Sequence, residues 1–475
     1  MVSETAGALL CSLPGSDAGL CVDVESFSPT RPDSSTQSES LDVLADGSTT
    51  EDTNNTNVGK KIVSKTMKKH HFSLFRLLGS ASIFQIVLSI NVFAEIKRDY
   101  GTYPVPPAPP LPAAGGTIID PTFETTIMRL TDANDGPDCV NAYSYWPTFN
   151  VNNTRLLVHS GIAPLLYRFD PVNFTIIDKA IWDTPTPIGG SVGWEDAIWS
   201  GSDPDVIYAH DNIGLHLWAY NAATQTYTLL ADFTSQYNPG DYLWQMSKSI
   251  KNDNVFAFTR RDRRYNIVGY LVWKRDTNQV IYNVNTAQLD EVQVDKSGRY
   301  LAVKTGQQGA GAIEVQVVDL KTLTVENLTD NGPDYAPGHS DNGNKIVVGA
   351  DNWNNQVTYR TLANPHSFYP LINYRDDWTQ DYHVSMLANN EKWVLLSSYS
   401  GTDGTPDGPF HDEIYEVATD GSGSVRRMAH HFSIYGGDYY ASPRADISRD
   451  GHLVAFTSNW GVEGGRKDVF ILKIP

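Results

Sequence analysis

Cysteine is nearly absent. The 475 residues contain three, Cys11, Cys21 and Cys139. No disulfide framework and no Cys-x-x-Cys metal site is therefore available, and the fold must be held by its core. Positive charge is also scarce. Lys and Arg number 36 against 55 Asp and Glu, a formal net charge of −19. That balance excludes nucleic acid as the expected partner, because phosphates need a basic face. It leaves room for a small acidic ligand wherever Arg and His cluster locally. No GxSxG elbow, HExxH pair, phosphate-binding loop or dinucleotide fingerprint occurs in context. Serine hydrolases, zincins, NTPases and nicotinamide enzymes are set aside on that ground. Long apolar runs are missing too, with one exception at 77–94.

That exception has a distinctive setting. Residues 1–66 are rich in Ser, Thr, Asp and Asn and nearly free of aromatics. Such a stretch buries too little apolar surface to offset chain entropy, so it is expected to be disordered. Met67-Lys68-Lys69 then precedes LLGSASIFQIVLSINVFA (77–94). A charged start, an apolar core and a small residue at the end form the layout of a signal peptide over 67–94, which makes Met67 a candidate start. The other reading of the same run is a signal anchor that tethers the chain to a membrane, weakened by Gln85 and Asn91. Either way the protein is expected to be exported, to a periplasmic, cell-surface or extracellular location. Residues 95–116 are Pro-rich and read as an extended polyproline linker.

From Tyr143 onward one phrase recurs seven times. A small polar turn is followed by a run of β-formers, as in FNVNNTRLLVHS (149–160), VDKSGRYLAVKT (294–305) and ISRDGHLVAFTSN (447–459). The spacing is about 45 to 60 residues, the period of a β-propeller with one four-stranded blade per repeat. The expected fold of 117–475 is therefore all-β: a seven-bladed propeller. The last repeat ends in DVFILKIP and has only three strands of its own. TTIMRLT (125–131) is expected to supply the fourth, closing the ring without a covalent link. Blade starts are expected near Tyr143, Trp194, Tyr242, Asp290, Tyr335, Asp381 and Tyr439, and the funnel mouth is where such a ring binds ligands.

Several stretches resemble the oligogalacturonate lyase propellers. IIDPTFETTIMRLTDAND…YSYWPTFNVNNTRLLVHSG resembles the opening of that family. PGHSDNGNKIVVGAD (337–351), DYHVSMLANNEKWVLLSSYSG (381–401) and HHFS…YYASPRADISRDGHLVAFTSN (430–459) resemble three later segments. The likeness also overlaps the generic turn-plus-strand signature of TolB-like propellers. The resemblance implies β-elimination on a uronate, with a His as base and a divalent metal, Mn or Ca, held by His and Gln. Carried over by position, His339 matches the base and His383 one metal ligand. The remaining ligands depart: Ser442-Pro443-Arg444 stands where the family has His-Pro-His, and Tyr439 falls near its Gln. One His cannot hold a catalytic metal alone. Arg444 can instead oppose a carboxylate directly, with Tyr382, Tyr439 or Tyr440 as acid.

The residues themselves suggest further candidates. Trp146, Trp353 and Trp460 sit beside turns and are expected to be exposed, where ring faces could stack on sugars. His430 and His431 are neighbours in an extended stretch, so they point to opposite faces: either one, His431, faces the funnel as a ligand contact, or both are loop residues. HDN (210–212) and GTDGTPDGPFHDE (401–413) carry oxygen ligands of the kind calcium prefers, without a full EF-hand pattern. The expectation is thus an exported, monomeric propeller acting on an acidic oligo- or polysaccharide. The alternative is a non-catalytic TolB-like propeller that binds a protein or peptide in the cell envelope.

Overall fold

The computed structural model describes residues 96–193, 195–307, 313–328, 338–351, 354–374, 377–400 and 408–475. The polar extension 1–66, the export segment 67–94, most of the loop 401–413 and Trp353 lie outside the described residues. Among the described residues no helix is long and apolar enough to cross a membrane.

The chain forms seven antiparallel sheets. Their spans are 139–181, 197–232, 242–284, 291–327, 340–373, 380–430 and 446–473, numbered here as blades one to seven. Strands run in sequence order within blades one to six, and the first strands of blades two to seven touch one another in turn. This is the expected seven-bladed propeller.

Closure follows the expectation from TTIMRLT. Strand Thr126–Arg129 pairs antiparallel with Asp468–Lys473, in the register Ile127 opposite Leu472 and Met128 opposite Ile471. Strand Thr117–Ile119 adds a fifth, outermost member to blade seven. Thr131 and Arg129 both bind Asp468, at 2.8 and 2.7 Å, which ties the first strand to the last.

Strand side chains alternate between two faces. In blade six, Leu395 packs toward blade seven while Val394 and Leu396 pack toward blade five. Repeated around the ring, this rule yields seven apolar clusters, one per seam between adjacent blades. The aromatic residues go largely into these seams. Trp460 stacks on Phe470 at 4.5 Å between blades six and seven and is 7% exposed. Trp146 is 4% exposed beside the seam of blades two and three. The expectation that these two rings are exposed is therefore corrected: a turn-adjacent aromatic faces whichever sheet packs beside it.

Residues 97–112 lie against the seam of blades six and seven. Lys97 O accepts the Arg427 amide at 2.9 Å, Tyr103 O lies 3.3 Å from His430 Nε2, and Pro109 O accepts Trp460 Nε1 at 2.7 Å. Fully buried Arg427 binds Glu413 through two nitrogens and also donates to Gly101 O.

Candidate functional site

In each blade the first strand is preceded or opened by a residue with chemistry, and the ring brings these together. His339 comes from blade five, Asp381 and His383 from blade six, Arg444 from blade seven. Blade one contributes Tyr143 and Tyr145 from the segment after its first strand, Cys139–Val140, blade two Glu195, blade three Gln245 and blade four Glu291. Two contacts reach across the axis. Tyr143 meets the His383 ring edge-on at 5.0 Å, and Tyr145 OH donates to Glu291 Oε2 at 2.7 Å. This segment of blade one thus reaches residues of blades four and six.

His339 and His383 are stacked, with centroids 4.8 Å apart and planes 16° apart. Tyr399 stacks on the other face of His383 at 5.1 Å. His339 Nδ1 lies 3.0 Å from Tyr382 O and 3.4 Å from Asp381 Oδ1. The carbonyl cannot donate, so Nδ1 carries the proton and Nε2 is left as the acceptor. The His339 side chain is 37% exposed. Tyr399 OH donates to Asp381 Oδ2 at 3.0 Å and holds the carboxylate in place.

The two histidines titrate in opposite directions. Burial disfavours the charged form of His339, but the Asp381 carboxylate outweighs it and the pKa rises above the usual imidazole value. Burial, and then the charge on His339, hold His383 well below that value, with Arg444 and Lys304 acting the same way. His383 Nδ1 is buried without a hydrogen-bond partner. Asp381 is held low: burial would raise it, but His339 and His383 overcome that.

The other side of the mouth is acidic. Burial pushes the Glu195 carboxyl up to about 7, against the hydrogen bond it accepts from Gln245 Nε2 at 3.0 Å. Lys304 pairs with Glu291 and lies 4.9 Å from the Tyr145 ring centroid. Three of these residues have left-handed backbone: Glu195 at φ 64°, Gln245 at φ 38° and Arg444 at φ 43°. Such strain costs about 1–3 kcal/mol each and collects where side chains are aimed at a site.

Arg444 is fully buried beneath the rim. Its guanidinium lies 5.1 and 5.6 Å from the rings of Tyr439 and Tyr440, and it donates to Tyr440 O at 3.3 Å. It reaches the site through its field on His383 and Glu195. Tyr439 is half-buried, and burial raises its pKa despite Arg444.

Three other expected ligand contacts are buried elsewhere. Tyr382 is 4% exposed and donates to Gln356 O at 3.0 Å in the seam of blades five and six. His431 Nε2 lies 2.8 Å from Ser398 O, and its Nδ1 accepts the Ser433 amide. His430 turns the other way, toward residues 97–112. The two neighbours do point apart, but neither opens to the mouth. With Trp146 and Trp460 they offer no free face to a ligand.

The metal implied by the resemblance finds no donor set at His383. Among the described residues no group of three or more His, Cys, Asp or Glu converges on a point.

Glu195, Gln245, Glu291, Lys304 and Tyr145 were not singled out from the sequence. A signal existed for most of them: Glu195, Gln245 and Glu291 stand a few residues ahead of the polar turn of their repeats, as His339 and Arg444 do. Superposing the repeats on that turn would have found these three.

No protein-family profile matches the chain, and no curated protein matches it by sequence. Solved structures do match. An oligogalacturonate lyase from Vibrio parahaemolyticus superposes with a TM-score of 0.57 at 13% identity, over 76% of this chain and 99% of that one. An oligogalacturonate lyase in complex with manganese gives a TM-score of 0.56 at 13% identity, over 78% of this chain and 98% of that one. At such identity the likeness establishes the propeller fold.

Proposed function

We propose that the funnel mouth removes a proton from an acidic saccharide and that the chain is an exported, β-eliminating polysaccharide lyase. The observation that carries this reading is His339: Nδ1 tied to a carbonyl and a carboxylate, Nε2 left as a base on a partly open side chain. The names of the two structural neighbours point to the same substrate class.

In the proposed step, His339 Nε2 takes the proton from the carbon beside a uronate carboxylate. The released electron pair forms a carbon–carbon double bond while the bond to the neighbouring sugar oxygen breaks. That oxygen takes a proton from Glu195, whose pKa near 7 suits a group that must arrive protonated. Lys304 and Arg444 supply the positive field that stabilises charge building on the carboxylate. No part of the step runs through a metal.

The products include an unsaturated uronate, which absorbs near the ultraviolet edge. The test is a screen of pectin fragments, alginate, glucuronan and ulvan for that absorbance. His339→Ala should lower the rate by about 10²–10⁴-fold, the usual contribution of a positioned base, with Tm retained because the side chain is partly open. A flat trace on all four polymers, with no binding shift, would sink the reading.

A further inference from the structure

A second group of polar side chains lies beside the mouth, between the first two strands of blade two. Asp196 immediately precedes the first strand, Ala197–Trp199, and His210 immediately follows the second, Val206–Ala209; the backbone bond from His210 N to Asp196 O at 3.1 Å joins them. Both residues are fully buried. His210 Nε2 lies 3.7 Å from Asp196 Oδ1, too far for a hydrogen bond. Neither nitrogen of His210 has a partner, nor does Asp196 Oδ1, and Asn212 Oδ1 is likewise buried and unpartnered. The other Asp196 oxygen is occupied, accepting from Gly193 N at 2.7 Å and from the Asn212 amide.

Buried polar atoms are rarely left without partners, because desolvation costs about 1–3 kcal/mol each. Here an imidazole nitrogen and a carboxylate oxygen 3.7 Å apart are both orphaned, and an orphaned amide oxygen belongs to Asn212, whose Nδ2 is bonded to the other oxygen of the same carboxylate. The surrounding loop is built closely over it. A Cβ on Gly193 would stand 2.8 Å from Asp196 Oδ2, and one on Gly190 would stand 2.6 Å from the Cβ of Asp211. Thr186 Oγ1 donates to Asp211 Oδ2 at 2.6 Å and holds the chain between them.

We propose that Asp196 Oδ1, a ring nitrogen of His210 and Asn212 Oδ1 bind one divalent transition-metal cation of the Mn or Zn class. The mixed nitrogen and oxygen donors select such an ion over calcium, which takes oxygen alone. Two donors 3.7 Å apart, each at the usual distance of about 2.0–2.2 Å from an ion, subtend roughly 115–135°, which leaves room for a third donor. Protonation agrees. Burial pushes His210 down to about 3, so its ring is neutral and able to ligate. Burial also raises Asp196, a cost that a bound cation reverses by stabilising the carboxylate. The ion would lock the loop before blade two to the end of its second strand, directly behind Glu195. It is independent of the saccharide reading and of His383.

The test uses the full chain, purified without chelator and analysed for metal. About one equivalent of a transition metal is expected. The chelator-stripped chain is then titrated separately with Mn²⁺, Zn²⁺ and Ca²⁺ while Tm is followed. A rise with Mn²⁺ or Zn²⁺ supports the site when it is lost in Asp196→Asn and His210→Gln and kept in His383→Ala. Both loss variants alter buried groups, so the stripped wild-type titration is decisive on its own. No response to Mn²⁺ or Zn²⁺ there overturns the proposal and leaves the cluster as a water site. Loss of the response in His383→Ala, or a Ca²⁺ response undiminished in His210→Gln, overturns it as well.

Discussion

His339 owes its basicity to Asp381. The carboxylate favours the imidazolium and raises the His339 pKa, although burial works against it. Both side chains are partly open to water, so solvent screens the pair. Two outcomes follow for a base of this kind. The rate should rise with pH through the His339 pKa, above the ordinary imidazole value, because only the neutral ring accepts a proton. In Asp381→Asn that rising limb should move to lower pH and the maximum rate should fall, since a weaker base sheds its proton at lower pH but pulls less hard. A pH–rate profile of both proteins reads this directly; an unmoved limb would separate Asp381 from the chemistry. The pairing of His339 with His383 was legible as two loop histidines in neighbouring repeats. The partnership with Asp381 was not, because it depends on side-chain direction at the first strand of blade six. Arg444 illustrates the same limit: its type is evident in the sequence, while its position beneath Tyr439 and Tyr440 is set by packing.

The ring is closed by short elements. Strand Thr126–Arg129 fills the place the last repeat lacks, and its pairing with Asp468–Lys473 removes two sheet edges at once. Residues 97–112 then lie over the adjoining seam, a stretch the sequence presents only as Pro-rich. Trp460 joins the two, stacked on Phe470 and bonded to Pro109 O. Trp460→Ala should therefore cost about 3–5 kcal/mol, the usual range for a buried Trp, as a lower denaturant midpoint. Proteolysis within 97–112 should quicken in the same variant. A midpoint within error of wild type would show that this segment adds nothing to closure.

Seven seams of similar make-up carry the stability of the whole ring, and buried acids set its response to pH. Burial raises Glu195 to about 7 and Asp341 to about 6. From the ordinary carboxylate range up to those values the folded chain holds more protons than the unfolded one. Stability therefore falls as pH rises through that window. His339, raised, acts in the same direction. His159, His210 and His383 are depressed, so above the ordinary imidazole value they are neutral in both states and add no slope. A net charge of −19 adds self-repulsion at the same end. Above the ordinary imidazole value, from about pH 7 to about pH 8, Tm at constant ionic strength should thus decline. A rising Tm over that range would contradict the assignment of Glu195 and Asp341 as buried and protonated.

The sequence alone determined the architecture, because turn chemistry and strand alternation are local and repeat seven times. It determined which strand closes the ring, because one blade was a strand short. The tertiary structure decided which residues meet. Glu195, Glu291 and Tyr145 share one mouth with His339 although they are far apart in the chain, and Trp146 and Trp460 are taken into seams. Radial packing alone assigns each alternating side chain to a seam or to the funnel, and a linear pattern carries no record of that choice.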